Sequence, residues 1–329
     1  MNRRDVLGAA AAGAAGLAGW PLAAAAQSRY PDHPIRLVIP FAPGGQTDIL
    51  GRRFAQKLEA ELGQPVVPDN KSGAGGTIGS SDVARSRPDG YTLLVGTSST
   101  HSISPLAMDK QPYDPVKDFT AVAVLGVIPM CIVVNPNVPA KNLKELIDLI
   151  RKNPGKYSFG SAGMGSINHL TGELFKMRAG GLDYVHIPYK GSGQSVQDLL
   201  GGQVPTLMAT LSSVQNYHRS GRVRILAVTT EQRVSAAPDI PTAIEAGLPG
   251  MVSYTYNMVF GPAGLPQPVL DTLATAYRKI MGDKAFQKEL QDIGIEPVAD
   301  SSGDKATAFL REESTRFEPV IKATGIRID

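Results

Sequence analysis

The sequence predicts an α/β protein of two lobes, each a mostly parallel sheet flanked by helices, with a cleft between them. Three observations carry that expectation. From Ile35 onward, short β-rich runs alternate with amphipathic helical stretches, the pattern of parallel strands joined by covering helices. Several strands end in glycine turns that lead straight into a helix. The chain has 329 residues, 42% hydrophobic and 19% charged, enough for about two cores, since a single one stops growing near roughly 250 to 300 residues.

The first 26 residues are set apart from this pattern. A short basic start (Arg3-Arg4) precedes a weakly apolar Ala/Gly/Leu stretch, and Ala24 and Ala26 form a small-residue cleavage signal. These features describe a secretory signal peptide removed after Ala26 and a mature protein in the periplasm. Arg3-Arg4 with Val6-Leu7 resembles a twin-arginine signal, while Asn2 and Val6 leave the general secretory route open.

The mature pattern opens with "IRLVIPF" as a strand, then a helix with Leu50, Phe54, Leu58 and Leu62 at four-residue spacing and Gly63 at its end. The Gly-rich "GAGGTIGSSDVARS" and the strand "YTLLVGT" follow. After "CIVVN", Asn142 and Glu145 form a capping box on a helix that turns Leu143, Leu146, Ile147 and Ile150 inward. The strand "YSFGSA" leads to a helix with Leu170, Leu174 and Met177 on one face. "YVHIPY", "VPTLMAT" and "VRILAVT" are further strands, and helices are expected near 267–281, 284–293 and 303–324. With no linker between the halves, the lobes are expected at 27–126 plus 229–329 and at 127–228, joined by crossings near 124–130 and 227–231.

Composition excludes several functions. The 33 basic and 30 acidic residues give a net charge of +3 with no basic run, so no nucleic-acid partner is expected. Cys131 is the only cysteine; it sits in an apolar run and reads as a buried, inert thiol. Histidines at 33, 101, 169, 186 and 218 form no metal-ligand spacing. "GAGGTIG" misses the dinucleotide fingerprint by one position and no Walker lysine follows any loop, so no cofactor is expected. Ser166/His169 and Ser98/His101 are each three apart, yet no nucleophile elbow is present. A catalytic serine, which requires a base and a third orienting group, is not expected.

What remains is backbone. In "IPFAPGGQTDIL" a strand passes through Pro-Gly-Gly into a helix. The first N–H groups of that helix have no internal partner, and with the helix dipole they form an anion site that needs no cationic side chain. Thr47 or Asp48 is placed at the N-cap, and Pro43, Gly44 and Gly45 are read as the clamp. "FGSAGMGSINHL" repeats the design in the second half, with a helix beginning near Ser166. Ligands of open α/β sheets bind outside the carboxyl ends of strands, where both loops lie, with Thr97, Ser98, Thr100, Tyr189 and Lys190 as further lining.

These segments resemble the receptors of tripartite tricarboxylate transporters, the Bordetella uptake gene family. The resemblance rests on "YPDHPIRLVIPFAPGGQTDILGR", "GAGGTIGSSDVARSRPDGYTLLVGTSSTHSISP", "YSFGSAGMGSINHLTGELF", "HIPYKGSGQSVQDLLGGQV", "ILAVTTEQR", "PDIPTAIEAGLPG" and "FGPAGLPQPVL", in family order over nearly the whole mature chain. It implies a type II-like periplasmic binding fold and a solute-binding protein, not an enzyme. That protein would act as a monomer, closing on a small carboxylate and delivering it to integral-membrane transporter subunits. A carboxylate sensor for a membrane kinase and a periplasmic hydrolase are the alternatives. By resemblance the ligand-binding residues are Phe41, Pro43, Gly44, Gly45, Gln46, Thr47, Asp48, Thr97, Ser98, Ser161, Ala162, Gly163, Gly165, Ser166, His169 and Tyr189. The chain departs from the family at Pro205, where an acidic residue is usual, at "DNKSGAGG", and at Tyr254–Asn257, where tyrosine replaces the usual tryptophan. Pro205 and the tyrosine are expected to reshape the pocket.

Overall fold

The computed structural model describes residues 30–110, 112–189, 191–301 and 303–327; the expected signal peptide and Lys190 lie outside the described residues. In chain order the elements are β1 (Ile35–Ile39), α1 (Gln46–Leu62), β2 (Val66–Asn70), α2 (Thr77–Ala84), β3 (Thr92–Thr97), α3 (Ser104–Ala107) and β4 (Phe119–Val134). Then come α4 (Leu143–Lys152), β5 (Ser158–Ser161), α5 (Ile167–Arg178), β6 (Val185–Pro188), α6 (Ser192–Leu200), β7 (Thr206–Thr210), α7 (Leu211–Arg219) and β8 (Arg224–Val228). The chain ends with β9 (Tyr254–Pro262), α8 (Gln267–Gly282), α9 (Lys284–Asp292), β10 (Glu296–Pro297), α10 (Gly303–Arg316) and α11 (Glu318–Thr324).

The strands form one curled sheet in the order β2-β1-β3-β9-β4-β7-β5-β6, with β8 and β10 also paired to β4. The outer strands of each lobe are parallel: β1 with β2 and β3, β5 with β6 and β7. The centre is antiparallel because β4 and β9 carry the chain between lobes. Strand β4 pairs with β9 as far as Pro129 and with β7 from Met130, so the crossing is made inside a continuous strand.

Alternation along the strands gives the sheet two apolar faces in each lobe. In the first lobe Leu37, Ile39, Leu93 and Val95 join one cluster, with Leu50, Phe54 and Leu58 of α1, while Val38 and Leu94 join the other. In the second lobe Met130 and Ile132 face one cluster, and Cys131 and Val133 the opposite one. Burial raises the Cys131 thiol far above its ordinary value and keeps it protonated.

Local signals account for the helix ends. Gly63 closes α1 in the left-handed conformation and donates its N–H to Glu59 O. Asn142 Oδ1 accepts from Glu145 N at 2.9 Å, while Glu145 Oε2 accepts from Lys141 N at 2.6 Å. The expected inner face of α5 is corrected at one position. Leu170 and Leu174 are buried, but Met177 is exposed and Phe175 fills the core instead. The last helical stretch divides into α10 and α11 at Phe317, just before Pro319, because proline cannot continue a helix begun before it.

Val234, Ala236 and Ile240 pack with Cys131 and Val133, and Ala243, Leu248 and Met251 pack with Met130 and Ile132. Residues of the 229–253 segment therefore share their packing with the part of β4 that follows Pro129. Phe317, Val320 and Ile321 join that core as well, so the C-terminal helix spans back to the second lobe.

Close packing of α5 on β5 makes a test. A methyl at Gly172 would stand 2.0 Å from a ring carbon of fully buried Phe159, whereas Gly282 near the end of α8 has open space. Alanine normally favours a helix over glycine by about 1 kcal/mol. Gly282→Ala should leave stability unchanged or raise it, and Gly172→Ala should lower it by about 1–3 kcal/mol through overpacking, as read by urea denaturation.

Candidate functional site

Between the lobes lies a cleft of about 1150 Å³. From the first lobe it is lined by Phe41 to Gln46, Ile49, Gly75, Ser99, Ser104, Asp292 and Ile293. From the second come Ala162, Met164 to Asn168, Gly191 to Gly193, Thr210, Ser212, Ser213, Gln215 and Asn216. The N-terminal turns of α1, α5, α6 and α7 all open here. Among the described lining residues there is no Lys or Arg, and Asp292 is the one charged side chain.

The first loop is built by the carboxylate the sequence places within it. Helix α1 starts at Gln46 with Gly45 as its N-cap, and no side chain caps it, so the expected cap at Thr47 or Asp48 is corrected. Asp48 is buried in the first turn and reaches back to accept from Gly44 N at 2.9 Å, from Asn70 Nδ2 at 2.8 Å and from Arg52 Nε at 2.8 Å. Burial acts to raise its pKa, but these bonds outweigh it and hold the carboxyl below its ordinary value. Gly44 is left-handed (φ +83°), a conformation glycine adopts without strain.

Two of the three residues read as the clamp therefore offer no free amide. Pro43 has no N–H, and that of Gly44 is engaged by Asp48. The free donors lie one step further on: Gln46, Thr47 and Asp48 N–H precede the first intrahelical bond, from Ile49 N to Gly45 O. The side chains of Gln46 and Thr47 meet buried Asn257 of β9, at 3.4 Å each, which ties the loop to the strand that crosses between lobes.

The second loop is held by hydroxyl and imidazole groups. Ser166 is the N-cap of α5; its Oγ accepts from His169 N at 3.2 Å and donates to Gly163 O at 2.7 Å. His169 Nδ1 accepts from Gly165 N at 3.2 Å, so the neutral ring carries its proton on Nε2, 3.9 Å from Glu173 Oε1. The Ser166/His169 pair is thus a helix cap, not a nucleophile with its base. Behind it His186 stacks on His169 at 3.9 Å and shares a 2.7 Å hydrogen bond with Ser161 Oγ. Burial, then His169 and Lys176, push His186 down to about 4; burial also lowers His169, with Glu173 opposing.

Several expected site residues stand behind the cleft lining. Thr47, Asp48, Ser161, Gly163 and His169 shape the two loops as just described. Thr97 and Ser98 are buried, Ser98 sharing a 2.7 Å hydrogen bond with Thr255; their neighbour Ser99 is the one that reaches the cleft. Thr100 is buried beside His101, which stacks on Phe260 at 4.0 Å. Tyr189 lies over Gly160; burial and Asp198 raise its hydroxyl to about 12. Neither Pro205 nor Tyr254 is among the residues that line the cleft. Pro205 stands before β7, at the end remote from Thr210, and Tyr254 pairs with Glu313 at 2.7 Å under the Arg316 guanidinium.

Sequence reasoning missed the wall formed by α7, Gln215 and Asn216 included, and the contribution of Ile49 and Ile293. The segment "VPTLMATLSS" repeats the design of a strand followed at once by a hydroxyl-rich helix start, but with no glycine to mark it. Among the described residues, no group of three or more His, Cys, Asp or Glu could hold a metal ion.

A two-lobed α/β protein with helix N-terminal turns facing an interlobe cleft has the fold of a periplasmic binding protein. Solved structures agree. The periplasmic binding protein BugD is 33% identical with a TM-score of 0.78, covering 91% of this chain and 99% of its own. A Rhodopseudomonas palustris protein with adipate is 34% identical with a TM-score of 0.82, covering 91% and 99%. Protein BugT of Bordetella pertussis is 36% identical over 304 residues, 91% of each chain. The model of the tripartite tricarboxylate transporter family receptor matches residues 50–326, and the chain belongs to that family.

Two measurements probe the loops. Asp48→Ala strips the acceptor from Gly44, Asn70 and Arg52, and should cost about 1–3 kcal/mol in urea denaturation. His186 titrates lower when folded than the ordinary 6.5, so the unfolded chain binds the proton first. Its contribution is intact above about 6.5 and is lost as pH falls toward about 4. The melting temperature should drop across that window, and by less in His186→Asn.

Proposed function

We propose that this protein is a receptor that captures a small carboxylate between its lobes and delivers it to integral-membrane subunits of the tripartite tricarboxylate type. The observation that carries the reading is the convergence of four helix N-terminal turns on a cleft without a described Lys or Arg. Such turns attract anions through unpaired N–H groups and the helix dipole. Adipate in a structural relative supports a carboxylate as the anion, and the absence of a coupled nucleophile and base at Ser166/His169 favours a receptor over a hydrolase.

Ligand contacts are assigned to the backbone of Gly45 to Asp48 and of Ile167 and Asn168, with Phe41, Ala162, Gly165 and Ser166 around them. The lobes are assigned as residues 30–129 with 254–316, and residues 130–253, with α11 bridging them. Closure proceeds by hinge bending at β4 and β9, bringing the second loop over an anion first docked on α1. The chain is proposed to act in the periplasm as a monomer after removal of residues 1–26.

Magnitudes explain why both lobes are needed. One helix N-terminus contributes at most about 2 kcal/mol in a partly buried geometry, while micromolar affinity requires about 8 kcal/mol. A single loop would bind far too weakly.

A thermal-shift panel of small carboxylates, set against neutral sugars and cations, tests the class: only carboxylates should raise the melting temperature, and a response confined to neutral or cationic compounds would refute it. Gly45 has φ −76° and open surroundings, so Gly45→Val should fold normally yet lose the response, its isopropyl group filling the approach to the amides. A retained shift would sink the loop assignment.

A further inference from the structure

The second loop turns on two left-handed glycines, Gly163 (φ +135°) and Gly165 (φ +68°), a backbone with wide conformational freedom. One chain of hydrogen bonds restrains it from outside the cleft. His186 Nε2 and Ser161 Oγ share a 2.7 Å bond, and Gly163 N donates to Ser161 Oγ at 3.1 Å. Ser166 Oγ then donates to Gly163 O at 2.7 Å, and Ser166 is the N-cap of α5, directly before the Ile167 and Asn168 amides assigned to the ligand. Resting on the carboxylate-receptor reading, we infer that His186 is a positioning residue of the anion site: without lining the cleft, it sets those amides through Ser161.

The ring is itself clamped. His186 lies on β6, an edge strand, in register with Phe159 of β5, and its imidazole stacks with Phe159 at 4.9 Å and with His169 at 3.9 Å. A ring stacked on two others has little rotamer freedom to lose, so Nε2 is offered to Ser161 at a fixed place. Ser161 Oγ is also 3.1 Å from Gly163 O. One assignment of protons satisfies every group: Ser161 donates to Gly163 O, and its two lone pairs accept from His186 Nε2 and Gly163 N. The hydroxyl is then fully used, with His186 as its outer anchor. Burial lowers the pKa of His186 and leaves the ring neutral at neutral pH. It brings no charge to the anion site, so position is what it contributes.

Two substitutions separate the bond from the stack. His186→Phe keeps a ring against Phe159 and His169 but has no donor for Ser161. His186→Gln loses the ring but carries an amide nitrogen as many bonds from the backbone as Nε2. Isothermal titration of the mature protein with adipate, succinate, malate and benzoate reads the outcome on whichever binds the wild type most tightly. His186→Phe should weaken that carboxylate by about five- to tenfold, the worth of one hydrogen bond, while His186→Gln stays within about twofold. Without ligand the order should reverse, His186→Phe melting at or above His186→Gln because it retains the stack. Ser161→Ala should weaken binding as much as His186→Phe, and the double variant no further, since both remove one link. Wild-type affinity in His186→Phe, or losses of affinity that follow the melting temperatures, would overturn the positioning role and leave the receptor reading intact. If none of the four binds the wild type, both fall.

Discussion

Helix N-termini carry N–H groups with no partner inside the helix, and this fold turns four sets of them toward one space. The rest of the site follows from that constraint. Those groups need an acceptor or water, and between two lobes they are available to an anion. The loops before the helices must then be rigid, because a donor that wanders cannot select a ligand. Rigidity comes from polar side chains bonded within the loops: Asp48 fastens Gly44, Asn70 and Arg52 on one side, while Ser166 and His169 fasten Gly163 and Gly165 on the other. Polar residues that look chemically capable are spent on holding glycines in place.

The same economy governs the joint between lobes. Two antiparallel strands make the crossings, and strands within a sheet bend as units because their ladders resist local unfolding. Asn257 on β9 meets Gln46 and Thr47, so the first loop is referenced to one of the two strands proposed to bend. At the far end of β9, Tyr254 contacts buried Glu313 and Arg316, at the point where α10 gives way to the helix that packs on the second lobe. On the proposed hinge reading, bending at β9 would be coupled by contact to the α1 loop and to the C-terminal bridge.

Much of this was legible in the sequence because its signals were local. The strand and helix order, the capping box at Asn142 and Glu145, the αL closure at Gly63, and both glycine loops depend on neighbours within a few residues. Three things were not legible. The role of Asp48 depends on Asn70, 22 positions away and adjacent only because β2 pairs with β1. The packing of residues 229–253 beside β4 was not legible because they contain no long strand, and it shows only in which core they fill. The α7 wall went unnoticed because it reaches the cleft without glycine, through a serine-rich turn.

A backbone anion site has a further consequence for specificity. Main-chain N–H groups recognise charge and position but carry no information about the rest of the ligand, since every residue except proline supplies the same donor. Identity must then come from the side chains that stand beyond the amides. In this cleft those are Phe41, Ile49, Met164 and Ile293, together with hydroxyls already bonded to one another. Phe41 and Met164 stand within the two loops, while Ile49 and Ile293 lie outside them, so the latter pair can change while the loop backbone stays in place. On the proposed reading, binding the charge and choosing the solute fall to separate atoms, the first to backbone fixed by buried polar contacts and the second to lining side chains, of which Ile293 also packs against the first lobe's core.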